Sequence, residues 1–234
     1  MDISEKIEHA YRKHASFAVD GICYRVLGNY RIDGLKVMGF DRKFVVKPRV
    51  LKIPSSLGQI KVKEIAEGAF EGENIEKVIL PYTIDIVQNR AFMNCCRLQT
   101  VTLKGCIVVL TAEVFANCPN LTKIDGYGQL FLWKNALHDC IGLHTIQPHI
   151  GTVHKDAFNG CSNLHKISLD DNANIDENAF RNSAIRVIQA FGQITIANDT
   201  IEFFADNDVT IEVSSNSNLI ELLYHGLHVK SIGS

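Results

Sequence analysis

The sequence predicts an α/β repeat solenoid with a strand-rich N-terminal cap and a small C-terminal cap. Three observations carry this. Ala69-Phe70, Ala91-Phe92, Val114-Phe115, Ala136-Leu137, Ala157-Phe158 and Ala179-Phe180 recur at steps of 22, 23, 22, 21 and 22 residues. In four units Cys95, Cys118, Cys140 and Cys161 lie three residues after the aromatic position, and Leu98, Leu121, Leu143 and Leu164 lie six after it. A β-branched residue follows nine after it (Val101, Ile124, Ile146, Ile167), and an aliphatic precedes it by four or five (Ile65, Val87, Leu110, Leu132, Val153, Ile175). Self-similarity at a fixed short period is the mark of stacked units.

Each part of the unit has a physical reading. Leu98-x-x-Val101-x-Leu103 and Leu164-x-x-Ile167-x-Leu169 end in apolar alternation, the period of a strand with its apolar residues facing inward. This is the Leu-x-x-Leu-x-Leu spacing of a leucine-rich repeat. Ala-Phe-x-x-Cys has helical or 3₁₀ spacing and closes the unit on the opposite side. One unit cannot bury its apolar face alone, but a stack shares one core. The first and last clear units depart together: Phe70 is followed by Ile75 and Val78, and Phe180 by Ile185 and Ile188, each one residue short and without the Cys. Edge units meet a cap on one side and escape the central consensus.

Taken in order, residues 1–58 form the N-terminal cap. Residues 1–16 read as a short amphipathic helix with Ile3, Ile7, Ala10 and Tyr11 on one face and Ser4 as its N-cap. Residues 17–58 alternate apolar and polar, with turns at Asp20-Gly21, Gly28-Asn29 and Asp33-Gly34, and read as strands beside the first repeat. Residues 59–213 are the repeats, degenerate near 194–213. Residues 214–234 are the C-terminal cap: a polar break at 214–218, a short helix at 219–225 ended by Gly226, and an edge strand at 229–232.

The phrases at 87–98 (Val-Gln-Asn-Arg-Ala-Phe-Met-Asn-Cys-Cys-Arg-Leu) and 153–164 (Val-His-Lys-Asp-Ala-Phe-Asn-Gly-Cys-Ser-Asn-Leu) closely resemble the BspA-like leucine-rich repeats. The lead-in at 51–56 and 62–66 and the segment at 17–27 are similar too, so the resemblance spans residues 17–213. It departs in the loop after the strand, where Leu-Pro survives only as Leu80-Pro81. The resemblance implies a curved solenoid used for adhesion or protein binding, with no catalytic residues; the partner is left open.

Composition narrows the function. The chain has 234 residues, 46% hydrophobic, with a formal charge of −2 from Lys+Arg 24 against Asp+Glu 26. No basic excess points to nucleic acid. The most apolar runs, Ile107 to Leu110 and Leu130 to Trp133, are far too short to span a bilayer. The opening Met1-Asp2-Ile3-Ser4-Glu5-Lys6 has no apolar run behind it, which favours an intracellular place or a place within an assembly. A chain trimmed of an export signal reads the same.

No Gly-x-Ser-x-Gly, His-Glu-x-x-His or phosphate loop occurs, and no enzyme and no cofactor is expected. The in-phase cysteines match no zinc spacing and read as buried small hydrophobes; the odd total of seven favours reduced thiols. His138, Cys140, His144, His149 and His154 crowd two units, and His144 and His165 share a repeat position, yet tight ligand spacing on one rigid element is missing, so no metal is expected.

The candidate site is the outward face of the strands. Between the inward leucines, the third position gives Lys77, Thr100, Lys123, Thr145, Lys166 and Val187, and the fifth gives Ile79, Thr102, Asp125, Gln147, Ser168 and Gln189. Lys77, Thr100, Thr102, Lys123, Asp125, Thr145, Gln147, Lys166 and Ser168 are the expected partner contacts. Seven strands at about 4.8 Å span roughly 30 Å, enough for a protein interface. Tyr127, Phe131, Trp133, His149 and Phe191 are placed near the same edge, as anchors or as packing between units. The leading function is a non-catalytic scaffold for protein recognition. A structural subunit of a larger assembly (virion, cytoskeletal or secretion structure), self-associating through its caps, and a surface adhesin trimmed of its signal are the alternatives.

Overall fold

The computed structural model describes residues 1–43, 46–214 and 227–231, apart from the side chain of Cys106. The expected C-terminal helix at 219–225, with Gly226, lies outside the described residues, as do 215–218 of the polar break and Ile232. The described residues form a strand-rich solenoid with helices only at its two ends.

Each unit contributes strands to two parallel sheets. The first sheet holds the Leu-x-x-Leu-x-Leu strands. It runs through β4 (Val50–Lys52), β7 (Lys77–Leu80), the start of β9 (Thr100–Leu110), the start of β10 (Lys123–Leu132) and β11 (Thr145–Ile146). It continues through the start of β13 (Lys166–Ile175), β14 (Val187–Ala190), β16 (Thr210–Val213) and β17 (His228–Ser231). The second sheet holds the aliphatic position before the Phe. It runs through β3 (Gly34–Phe40), β6 (Ile60–Ile65), β8 (Ile86–Val87), the ends of β9 and β10, β12 (His149–Val153), the end of β13, and β15 (Ile194–Ile196). β9, β10 and β13 run through the corner without a break and so belong to both sheets. Gly126 permits this at one corner: its φ is +100°, and a Cβ there would fall 2.0 Å from the Leu103 carbonyl oxygen.

The third side of each unit carries the Ala-Phe pair. Where helical or 3₁₀ structure is expected, the backbone makes consecutive tight turns, each closed by a bond to the residue three back. The N–H groups one before and one after the Phe position close these turns within the unit, as Ala91 to Gln88 O (3.1 Å) and Met93 to Arg90 O (3.0 Å). Alternate N–H groups reach the next unit: Arg90 to Ala112 O, Phe92 to Val114 O and Asn94 to Ala116 O, at 2.9–3.0 Å. This alternation requires left-handed residues two before and two after the Phe. Gly68 and Gly72, Arg90 and Asn94, Glu113 and Asn117, Asn135 and Asp139, Asp156 and Gly160, Asn178 and Asn182 all have φ of 54° to 80°. Gly, Asn and Asp dominate because an ordinary side chain costs about 1–2 kcal/mol there.

One core fills the stack. Phe70, Phe92 and Phe115 stack with ring centroids 5.3 Å apart and planes within 13°; Phe158 stacks on Phe180 in the same way. Leu137 takes the place between the two runs, fully buried. The last unit closes differently. Its third side is α2 (Asn198–Asp206), which brings Phe204 to 5.6 Å from Phe180.

The N-terminal end is built as a cover. In α1 (Ile3–Lys13) Ile7 and Ala10 are buried and Ile3 is exposed. The N-cap is Asp2, not the expected Ser4: Glu5 N donates to Asp2 Oδ1 (2.8 Å) and Asp2 N donates to Glu5 Oε2 (3.0 Å). This reciprocal box satisfies two free N–H groups, which a cap at Ser4 would leave unpaired. α1 packs on β1 (Ser16–Val19) and β2 (Ile22–Leu27). Asp20 (φ 49°) and Gly21 (φ 77°) form the two-residue turn between them, both left-handed as a tight hairpin needs. β2 pairs antiparallel with β3, and β3 pairs parallel with β6, which starts the solenoid direction. β5 (Ser56–Leu57) is a short antiparallel partner of β6.

Candidate functional site

The first sheet places the expected residues in register. Lys77 lies beside Thr100, Thr100 beside Lys123, and Lys123 beside Thr145. Ile79, Thr102 and Asp125 form the second row. Further along, Lys166, Val187, Thr210 and His228 continue the first row, and Ser168, Gln189, Glu212 and Lys230 continue the second. Gln147 follows β11, its N–H bonded to Ile124 O at 3.0 Å. The rows run beyond the expected residues at both ends. Val50 and Lys52 pair with Lys77 and Ile79 on β4, and the rows end on β16 and β17. The signal existed: Leu51-x-Ile53 and Ile211-x-Val213 alternate like the other strands.

Charge on this face is partly internal. Lys123 Nζ lies 3.0 Å from Asp125 Oδ2, and Lys166 Nζ lies 3.3 Å from Glu212 Oε2. The Lys123 hydrogen bond, then the Gly126 N–H and the Lys77 charge, hold the Asp125 carboxyl below its ordinary range. Partial desolvation pushes the Glu212 carboxyl up, but hydrogen bonds from Lys166 and Gln189 outweigh it and hold the group below its ordinary range. Ser168 Oγ donates to Gln189 Oε1 (3.3 Å), and Gln189 Nε2 donates to Glu212 Oε2 (2.9 Å). Among the described residues, Thr102 Oγ1 is covered and has no hydrogen-bond partner, between Ile79 and Asp125 in its row.

Phe131, Trp133 and His149 do not lie in this sheet. Phe131 and His149 lie on the second sheet, Trp133 follows β10, and Tyr127 sits at the corner, its ring over Gly105, where a Cβ would fall 2.6 Å away. The second sheet has its own outward row: Lys36, Glu64, Ile86, Val109, Phe131, Thr152, Asn174 and Thr195, each beside the next. Its middle is apolar, and exposed Ile107, Tyr127 and Trp133 lie at its margins. Lys36 and Glu64 pair at 2.9 Å at one end. His149 stacks on Phe191 with centroids 4.9 Å apart.

The cysteines and histidines do structural work. Cys95, Cys118, Cys140 and Cys161 are fully buried, and each thiol donates to the carbonyl at the Phe position of the preceding unit: Phe70, Phe92, Phe115 and Leu137, at 3.1–3.2 Å. Burial pushes the thiols of Cys95 and Cys161 up to about 12 and raises those of Cys118 and Cys140 as well. The crowded histidines separate. His154 Nδ1 bonds Asp176 at 2.6 Å, His138 lies 3.2 Å from Asp139, and His144 Nδ1 lies 2.9 Å from Thr145 Oγ1. Among the described residues, no group of three or more His, Cys, Asp or Glu is placed to hold a metal ion, and no helix is long and apolar enough to cross a membrane.

Comparison with known proteins agrees with this architecture. A model of the BspA type leucine rich repeat region matches six copies over residues 51–147 and 132–210. None of the curated proteins matches the chain. A leucine-rich repeat protein of T. pallidum is similar in fold at a TM-score of 0.52 and 16% identity, covering 92% of this chain and 97% of that one. A leucine-rich repeat protein of Bacteroides ovatus aligns at 18% identity and a TM-score of 0.46, covering 92% of this chain and 67% of that one. The family model spans most of the chain, so the chain belongs to the BspA-type leucine-rich repeat family.

Proposed function

We propose that this protein is a non-catalytic recognition scaffold that binds a protein partner through the outward face of its first sheet. One observation supports this most: the face presents two rows of mainly polar and charged side chains, in register from β4 to β11 and again from β13 to β17, on a shared core. Stacked repeats commonly offer such extended sheets to partners. Lys77, Thr100, Thr102, Lys123, Asp125, Thr145, Gln147, Lys166 and Ser168 are the proposed contacts.

A second reading, a structural subunit, draws on the apolar middle of the second sheet, since exposed apolar patches mark association sites. The test captures partners from the native source with three baits: the parent, K77E/K123E/K166E, and I107D/Y127D. Loss of a partner in the lysine variant alone supports the first-sheet reading. Loss in the second-sheet variant alone replaces it with the structural one.

A further inference from the structure

The first row of the candidate face has a regularity that the repeat does not demand. Lys77, Thr100, Lys123 and Thr145 stand side by side in register, and Lys166 holds the same repeat position in the next unit, on a strand that touches β11, so the lysines fall in every second unit with Thr100 and Thr145 between them. At about 4.8 Å per rung, the lysines stand roughly 10 Å apart along the stack. The two rows together hold Lys52, Lys77, Lys123, Lys166 and Lys230 against Asp125 and Glu212, which is +5 and −2, or +3. The whole chain carries −2. The positive excess is therefore local to this face. Among the described residues, Lys52 and Lys77 have no salt bridge, whereas Lys123 and Lys166 each share a carboxylate on the same face.

Building on the first-sheet reading, we propose that the face takes an acidic, extended protein segment lying along the stack, with a carboxylate at every third residue. The spacing selects this geometry. A polyproline-II segment turns once in three residues and advances about 3.1 Å per residue, so every third side chain points the same way about 9 Å apart. That matches the roughly 10 Å between lysines. The threonine rungs give hydroxyl groups to the segment's backbone carbonyls between the ion pairs. A nucleic acid fits less well. Its charges recur more closely than the lysines, and Asp125 and Glu212 would face its phosphates directly. A peptide avoids this by placing neutral residues opposite them.

The test titrates three labelled probes onto the full chain. One is a peptide of about fifteen residues with Glu at every third place among Pro and Ser. The second is an isomer with its glutamates in one block, and the third is a single-stranded oligothymidylate of similar length. The spaced peptide is expected to bind at least about tenfold more tightly than the other two. It is expected to weaken by at least about tenfold on K77Q/K123Q/K166Q, which removes the charges without adding repulsion. Equal binding of the blocked isomer, tighter binding of the oligonucleotide, or no binding of the spaced peptide overturns the proposal. The capture experiment keeps the two claims apart. A partner lost on K77E/K123E/K166E but not displaced by the spaced peptide removes the acidic-segment inference alone. A partner held by that variant removes the first-sheet reading as well.

Discussion

Arg90 and Glu113 occupy the same left-handed position in adjacent units, two residues before the buried Phe, and pair with each other at 2.8 Å. The equivalent positions elsewhere hold Gly68, Asn135, Asp156 and Asn178. A long side chain there costs about 1–2 kcal/mol. An ion pair exposed to solvent returns less than that strain. The double change Arg90→Asn with Glu113→Asn is therefore expected to stabilise the chain by about 1 kcal/mol. Chemical denaturation reads this as a higher midpoint at unchanged slope. A lower midpoint would show that the pair outweighs the backbone strain.

The Phe stack supplies a larger effect. Phe92 lies between Phe70 and Phe115, 5.3 Å from each. Phe92→Ala leaves a cavity in a core shared by three units and is expected to cost about 3–5 kcal/mol. Phe92→Leu copies the occupant of the fourth unit, Leu137, leaves a smaller cavity, and is expected to cost clearly less than Phe92→Ala. Equal losses in thermal melts would mean that the rings are not packed as a column.

Thiol reactivity separates cysteines that stand side by side in the sequence. Cys96 is exposed, whereas Cys95 is buried with its thiol raised to about 12. Under native conditions at mildly alkaline pH, Cys96 is expected to alkylate quickly, and Cys95, Cys118, Cys140 and Cys161 only after unfolding. Peptide mass mapping checks this residue by residue. Fast labelling of Cys118 or Cys140 would contradict the buried ladder.

Acid sensitivity follows from the two carboxylates of the first sheet. Both Asp125 and Glu212 are held below their ordinary values of 3.8 and 4.5. Around and below those values the unfolded chain binds more protons than the folded one, so stability rises with pH there. The contribution is present in full above the ordinary carboxylate range and is lost as pH falls through the lowered values. Asp125→Asn with Glu212→Gln is expected to flatten the acid limb of a stability profile while leaving its alkaline side unchanged. An unchanged acid limb would place the acid sensitivity elsewhere.

Much of this architecture was legible in the sequence because each unit writes its core in the same phase. The inward residues Phe92, Cys95, Leu98, Val101 and Leu103 sit at fixed offsets, and the ladders between Lys77 and Ser168 follow from strand alternation alone. The second sheet was harder to see. Val87 and Leu110 announced one inward aliphatic per unit, but β8 is two residues long, and the alternation through β9 and β10 breaks at glycine corners. Placement of Phe131 and Trp133 failed with it, since a corner moves a residue to another face without any change in composition. The tight turns were written as Asn, Asp and Gly two places either side of the Phe, while the Ala-Phe-x-x-Cys spacing suggests helix or 3₁₀. α2 escaped notice because its unit lacks the repeated pair.

Amine footprinting on the complex with a captured partner tests the central claim most directly. Lysines are labelled in the free chain and in the complex, and their modification is compared. Lys77, Lys123 and Lys166 on the first sheet are expected to be protected, with Lys6 and Lys13 of α1 and Lys61 and Lys63 of β6 labelled equally in both states. Unchanged labelling of Lys77, Lys123 and Lys166, with protection confined to Lys61 and Lys63, would contradict it.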